Sequence, residues 1–179
     1  MKTHVVQLME IVVTKKGLRL RALKQSDWPS VSKIYAQGIA TKMATFETVV
    51  PSWDVWDKKH IDCCRIVAEY GDNVVGYAVL SAVSNRPVYK GVAEVSVYVE
   101  EQWCRKGIGE MLLTQLIKKS EDNDFWSLQA GIFSENIPSI ELHKKCGFRV
   151  VGIKEKIGRL DGQWYDNHFL ERRSKKIGI

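Results

Sequence analysis

The stretch VAEVSVYVEEQWCRKGIGEMLL, residues 92–113, joins an alternating segment to a glycine-containing turn and then to a run with helical spacing. From Val92 to Val99, Val95, Val97 and Val99 alternate with Glu94, Ser96 and Tyr98, so a strand here turns the valines to one face and the Glu94 carboxylate to the other. Cys104, Arg105, Lys106, Gly107, Ile108 and Gly109 follow, and from Glu110 onward Met111, Leu112, Leu113, Leu116 and Ile117 recur at helical spacing. A helix N-terminus therefore opens directly after two glycines. Glycine lets the backbone approach a ligand and turn its N–H groups toward one centre, while the first helical turn adds unpaired donors and a partial positive charge. Pyrophosphate suits that arrangement, which makes an anionic cofactor the first expectation, although the same glycines also suit a plain tight turn.

Two well-known phosphate motifs fail here. The P-loop spacing GxxxxGK followed by Ser or Thr occurs nowhere, and GxGxxG fails because residue 112 is Leu. The preceding strand also alternates, whereas a Rossmann strand is buried on both faces. A nucleotide-bearing cofactor held by some other fold is left.

A chain of 179 residues with 45% hydrophobic content suits one domain with a real core. Residues 1–16 carry a short apolar patch broken by His4, Gln7 and Glu10, which fits neither a signal peptide nor a membrane span. A cytoplasmic location without a membrane partner is expected. Cys63, Cys64, Cys104 and Cys146 lack CxxC spacing, so neither a metal site nor a disulfide framework is expected. The net charge of +6 raises the question of nucleic acid, yet the basic residues are dispersed and no basic tract is interleaved with aromatics. No nucleic-acid partner is expected. Arg105 with Lys106 and Lys144 with Lys145 fit a phosphate-rich ligand instead, and the basic residues from Arg172 to Lys176 read as a solvated tail.

Residues 18–22 read as a first strand, and residues 27–39 as a helix with Ser26 or Asp27 as cap and Pro29 in its first turn. A second helix is expected over residues 52–64, then a hairpin of residues 65–70 and 74–83 turning at Gly71, Asp72 and Asn73. Residues 126–132 read as a strand, 139–146 as a short helix stopped by Gly147, 148–153 as a strand and 164–170 as the last strand. The expected class is α/β, a mixed central sheet with helices on both faces. Residues 1–16 form an extension, 17–171 the domain and 172–179 a basic C-terminal tail.

Cys104 to Gly109 resembles the signature of the GNAT superfamily of acyl-CoA-dependent N-acetyltransferases: Gln or Arg, two residues, Gly, one residue, Gly or Ala. Cys104 occupies the first position, so the amide cradle and not that side chain is left to hold phosphate. The resemblance narrows to phosphinothricin N-acetyltransferase-like enzymes, including the methionine sulfoximine and sulfone acetyltransferase branch. Four stretches carry it: residues 44–48 (ATFET), 86–89 (RPVY), 134–139 (SENIPS) running on to His143, Gly147 and Phe148, and 158–166 (GRLDGQWYD). They agree in order and spacing over residues 18–171.

The resemblance implies a GNAT fold with a splayed strand pair holding acyl-CoA, acetyl-CoA as co-substrate, no metal, and a homodimer that brings Trp164 and Asp166 near the partner's site. It implies Glu94 as the base that frees the acceptor amine and His143 as the acid for the CoA thiolate. Read from the residues alone, Glu94 also fits an exposed sheet-face glutamate, and His143 a packed or surface histidine. Arg105, Lys106, Gly107, Ile108, Gly109 and Glu110 would meet the phosphates, and the backbone of Val97, Tyr98 and Val99 the pantetheine. Asn136 offers the pantetheine an amide, Ser139 a cofactor contact or a helix cap, and backbone N–H groups over residues 95–97 a site for the oxyanion. Arg86 would grip an acceptor carboxylate bidentately, with Thr45, Phe46, Tyr89 and Trp164 walling the pocket. Val83 and Ser84 replace an aromatic followed by a basic residue in the family's fuller motif, which removes a cation from the acceptor side.

The leading expectation is acetyl transfer to the α-amine of a small amino acid or analogue, such as phosphinothricin, methionine sulfoximine or methionine sulfone, by direct attack in a ternary complex. The alternatives are a protein N-terminus or a polyamine as acceptor, and a non-catalytic acyl-CoA-binding regulatory module.

Overall fold

Residues 73–82, NVVGYAVLSA, are nearly all apolar because the strand they form is covered on both faces. Tyr77 and Val79 enter one core, while Ala78 and Leu80 enter another on the opposite side. In the computed structural model the described residues are 12–13, as backbone, and 17–179. They form strands β1 (Val12–Val13), β2 (Leu18–Ala22), β3 (His60–Tyr70), β4 (Asn73–Ala82), β5 (Val92–Val99), β6 (Ser127–Phe133), β7 (Arg149–Leu160) and β8 (Gln163–Arg173). The helices are α1 (Trp28–Ala40), α2 (Trp53–Lys59), α3 (Ile108–Glu121) and α4 (Ile137–Lys145).

The strands make one sheet in the order β1-β2-β3-β4-β5-β6-β8-β7. Its pairs are antiparallel except β5 with β6, which α3 connects as a crossover. On one face α1 and α2 supply Val31, Ile34, Tyr35 and Trp56 against Val67, Tyr77 and Val79. On the other, α3 presents Leu112, Leu113 and Leu116, each 0% exposed, to Ile66, Val95 and Leu128. Each such side chain contributes about 1.5–3 kcal/mol of burial. The α/β class and the two covered faces are as expected.

Three local expectations need correction. The second helix stops at Lys59 and not at residue 64, because His60 already pairs with Ser81. Between that pair and Arg65↔Val79, β3 spends four residues against one on β4, and the resulting bulge disguises the strand. The buried Arg65 guanidinium holds the bulge, donating to the carbonyls of Asp57 (2.8 Å), His60 (2.6 Å) and Ile61 (3.3 Å) and to the Asp57 and Asp62 carboxylates. The C-terminal tail is not simply solvated. Arg172 and Arg173 complete β8, Ser174 is 3% exposed, and Arg172, Ser174 and Lys176 converge at 3.0–3.1 Å on the Glu121 carboxylate. Burial opposes ionisation of Glu121, but these three donors hold its pKa below the usual range. Finally, Asn136 and not Ser139 caps α4. Of the extension, Val12 and Val13 pair with Leu20 and Arg19, and its other residues lie outside the described ones.

Candidate active site

Among the described residues the sheet has one parallel pair, and there it forks. β5 and β6 are joined only through Val92↔Ser127, Ala93↔Leu128 and Glu94↔Gln129. Past that point β5 follows β4 as far as Val99↔Gly76, while β6 follows β8 as far as Phe133↔Asn167. The gap opens into a cavity of about 940 Å³, lined by Tyr35, Phe46 and Trp56 from the α1/α2 side and by Asn136, Ser139 and His143 of α4. The splayed pair expected from the resemblance is present.

Glu94 sits at the crotch of the fork. It belongs to a polar row across four strands, His60↔Ser81↔Glu94↔Gln129, all of which line the cavity. Its side chain is exposed, with its surface on the cavity that it lines. Desolvation there raises its pKa, against the opposing pull of Lys154 and Lys59. A carboxylate raised in this way is a better proton acceptor for an ammonium than one on an open surface.

At the far end of β5 the chain turns through Arg105 (φ 61°) and Gly107 (φ 81°), the N-cap of α3. The first helical bond runs from Met111 N to Gly107 O at 3.1 Å, so the amides of Ile108, Gly109 and Glu110 lie outside the ladder and open the helix N-terminus. A Cβ at Gly109 would stand 3.1 Å from Leu142 Cδ2, which explains the second glycine by close helix packing. Glu100 anchors the turn through Lys33 (2.9 Å) and Gln102 (3.1 Å). Lys106 lies over the Trp103 ring at 4.5 Å, and Glu110 pairs with Lys145 of α4 at 2.7 Å. Val99 packs beside Gly109, and Cys104 points its thiol back at the Val99 and Glu100 carbonyls (3.8 and 3.7 Å), beside the turn. Left-handed backbone, free amides and flanking cations together fit a pyrophosphate.

On α4, Asn136 uses both ends of its amide. Oδ1 accepts the Ser139 N–H at 3.2 Å, and Nδ2 donates to the Met43 carbonyl at 3.1 Å. His143 is 4% exposed, its ring edge-on to Phe148, with Nδ1 2.8 Å from the Ser139 carbonyl. A carbonyl only accepts, so Nδ1 carries the proton and Nε2 bears the lone pair. Desolvation lowers the His143 pKa, which favours the neutral ring.

Thr45 and Phe46, expected at the acceptor, and Val97 and Tyr98, expected at the pantetheine, all line the cavity. The Tyr98 ring stacks on Tyr77 at 5.3 Å and meets Tyr35 edge-on, so its side chain belongs to the wall opposite α4. Phe46 rests on Phe133 at 4.4 Å and over Gly158, where a Cβ would come within 2.5 Å of its ring. Arg86 and Tyr89 are not brought in: both are exposed, with the guanidinium 5.5 Å over the Tyr89 ring. Trp164 is 55% exposed outside the cavity, and Asp166 accepts the Lys156 N–H at 2.7 Å in the bulge of β7. Reading the sequence missed Lys59, His60 and Lys154, which also line the cavity. His60 sits on the Trp56 ring at 4.2 Å with a pKa pushed down to about 4 by burial. No motif marks these three positions; strand register places His60 and Lys154, and Lys59 comes from the last residue of α2.

The described residues contain no cluster of His, Cys, Asp and Glu able to hold a metal, and no helix among them is long and apolar enough to cross a membrane. Residues 20–169 match the family model of the acetyltransferase (GNAT) domain. A Bacillus subtilis protein provisionally named a phosphinothricin acetyltransferase is 32% identical over 87% of this chain and 98% of its own length. The L-methionine sulfoximine/L-methionine sulfone acetyltransferase of Pseudomonas paraeruginosa is 31% identical over 59% of this chain and 62% of its own. The crystal structure of a GNAT superfamily phosphinothricin acetyltransferase from Sinorhizobium meliloti, in complex with AcCoA, superposes with a TM-score of 0.82 at 28% identity, covering 91% of each chain.

Proposed function

The chain belongs to the GNAT acetyltransferase family, and from that premise we propose that it transfers acetyl from acetyl-CoA to the α-amine of a small amino acid or analogue of the phosphinothricin, methionine sulfoximine or methionine sulfone type. The observation that carries the reading is the position of Glu94, at the crotch of a forked sheet whose strand β5 ends in a phosphate-fitting helix N-terminus.

The amides and cations of residues 105–110 hold the phosphates of acetyl-CoA, and the unpaired edge of β5 past Glu94 receives the pantetheine. When bound, acetyl-CoA supplies an activated acetyl group with a thiolate leaving group. An amino acid arrives protonated, and Glu94 accepts a proton from its ammonium so that the nitrogen lone pair is free to attack directly. Amides over residues 95–97, next along β5 from Glu94, serve the oxyanion. His143 rests neutral with its lone pair on Nε2, so a donor role toward the thiolate begins with proton uptake at that atom; its lowered pKa weighs against a resting imidazolium.

A homodimer is part of the reading. β7 is an edge strand on which Val150, Val151, Ile153 and Ile157 are 40–55% exposed, an apolar strip that a second copy would cover. Light scattering that returns a monomer at working concentration removes this part. The transferase itself is tested by acetyl-dependent release of CoA thiol with L-phosphinothricin, L-methionine sulfoximine, L-methionine sulfone, the standard amino acids, polyamines and a peptide amine, with product masses confirmed. Turnover of a small amino acid is expected. Tight acetyl-CoA binding with no thiol release for any amine points to the regulatory-module alternative.

A further inference from the structure

Four charged side chains line the cavity: Glu47, Lys59, Glu94 and Lys154. Lys59 is already engaged, its ammonium 3.3 Å from a Glu47 carboxylate oxygen. The ammonium of Lys154 makes no ion pair among the described residues. It lies over the Phe169 ring at 4.3 Å, on β7 opposite Asn167 of β8, and its charge is felt at Glu94. Three histidines also line the cavity: burial holds His60 and His143 toward their neutral forms, and Nδ1 of His168 lies 3.0 Å from Ser134 Oγ. The cavity thus offers the Glu94 carboxylate as a proton acceptor and the Lys154 ammonium as a cation without an ion pair among the described residues.

Together they suit an acceptor that carries both an ammonium and a carboxylate, as an α-amino acid does. The arginine expected to grip the carboxylate is exposed outside the cavity, and Ser84 holds no charge. We propose that Lys154 is the anchor for the acceptor's carboxylate and selects carboxylate-bearing amines over amines without an acid group. The inference rests on the acetyltransferase reading above and deepens it. A flexible ammonium on an aromatic face has room to swing to an anion, and Phe169 supports it without neutralising it.

The test compares wild type, Lys154→Met and Lys154→Arg with L-methionine sulfone, L-phosphinothricin and each standard amino acid, alongside the decarboxylated amine of each accepted substrate. Binding of the same compounds is measured separately by calorimetry with CoA present. With the neutral variant the acceptor KM is expected to rise roughly tenfold, as for loss of one hydrogen bond to a charged group. The KM for acetyl-CoA should not move, the decarboxylated amine should be used equally by both proteins, and Lys154→Arg should recover most of the loss. An equal fall for acid and decarboxylated amine overturns the anchor, because Lys154 would then act through Glu94 or through packing. Unchanged acceptor KM overturns it too. If no amine is turned over yet amino acids bind and Lys154→Met weakens them selectively, the anchor stands and the transferase reading falls. If no carboxylate binds under either measurement, the anchor falls.

Discussion

Asn136 ties the two sides of the fork together, and its substitution separates two jobs. Oδ1 caps α4 at 3.2 Å, and Nδ2 holds the Met43 carbonyl at 3.1 Å, just before Thr45 and Phe46 in the chain. Asn136→Ala removes both bonds. The cap contributes about 1 kcal/mol, and a hydrogen bond of the second kind about 0.5–1.5 kcal/mol. For a chain of this size each kcal/mol moves the midpoint by about 2–4 °C, so the alanine variant should melt about 4–8 °C lower. Asn136→Asp keeps the acceptor and adds negative charge at a helix N-terminus, worth about 0.3–1 kcal/mol. It replaces the donor to Met43 with an oxygen that repels that carbonyl, so the cap keeps its contribution while the loop over residues 43–46 loses its tether. If that tether positions Phe46 with about 1 kcal/mol, the acceptor KM rises about fivefold in both variants, with KM for acetyl-CoA little changed in the aspartate variant. Calorimetric melting with CoA-thiol-release kinetics reads both. An aspartate variant with wild-type acceptor KM refutes the tether, and an alanine variant with wild-type melting refutes the cap.

Glu94→Gln should lower turnover by about 10²–10⁴-fold and erase the acidic limb of the rate profile, which in wild type lies above the ordinary carboxylate range because burial raises the pKa. The folded protein then binds the Glu94 proton more tightly than the unfolded chain, so its ionisation costs stability as pH rises through the window between the two pKa values. The glutamine variant should therefore melt higher at neutral pH and lose that margin in acid; a lower midpoint at pH 7 would contradict the desolvation. Gly158→Ala sets a methyl 2.5 Å from two atoms of the Phe46 ring, and the forced shift should cost about 1–3 kcal/mol. Its acceptor KM should rise while acetyl-CoA kinetics hold, and unchanged acceptor kinetics would exclude Phe46 as a wall. Deleting residues 174–179 strips Ser174 and Lys176 from Glu121 and should destabilise by about 2 kcal/mol, seen as a lower urea midpoint at unchanged slope; an unchanged midpoint would mean the tail holds nothing.

The phosphate turn and the Glu94 strand were legible because their signals are local: two glycines before a helical period, and a carboxylate in phase opposition to three valines. Phe46 and His143 came from the resemblance, not from periodicity. What escaped depends on partners far along the chain. β3 reads as the end of a helix until Arg65 is seen gathering three carbonyls around the bulge. The tail reads as solvated until Glu121, more than fifty residues earlier, is seen to need its donors. Lys154 lies in a strand exposed along most of its length, and only the pairing of β7, β8 and β6 brings its charge to Glu94. Arg86 shows the converse, since a residue in a matching motif need not face the cavity that the motif surrounds.

Past Glu94 and Gln129 the facing edges of β5 and β6 have no strand partner in one another, so their backbone groups are left to bond whatever enters the fork. Recognition by main chain is indifferent to side-chain identity, so substitutions over residues 95–99 that keep the strand should change affinity for an amide-bearing ligand little.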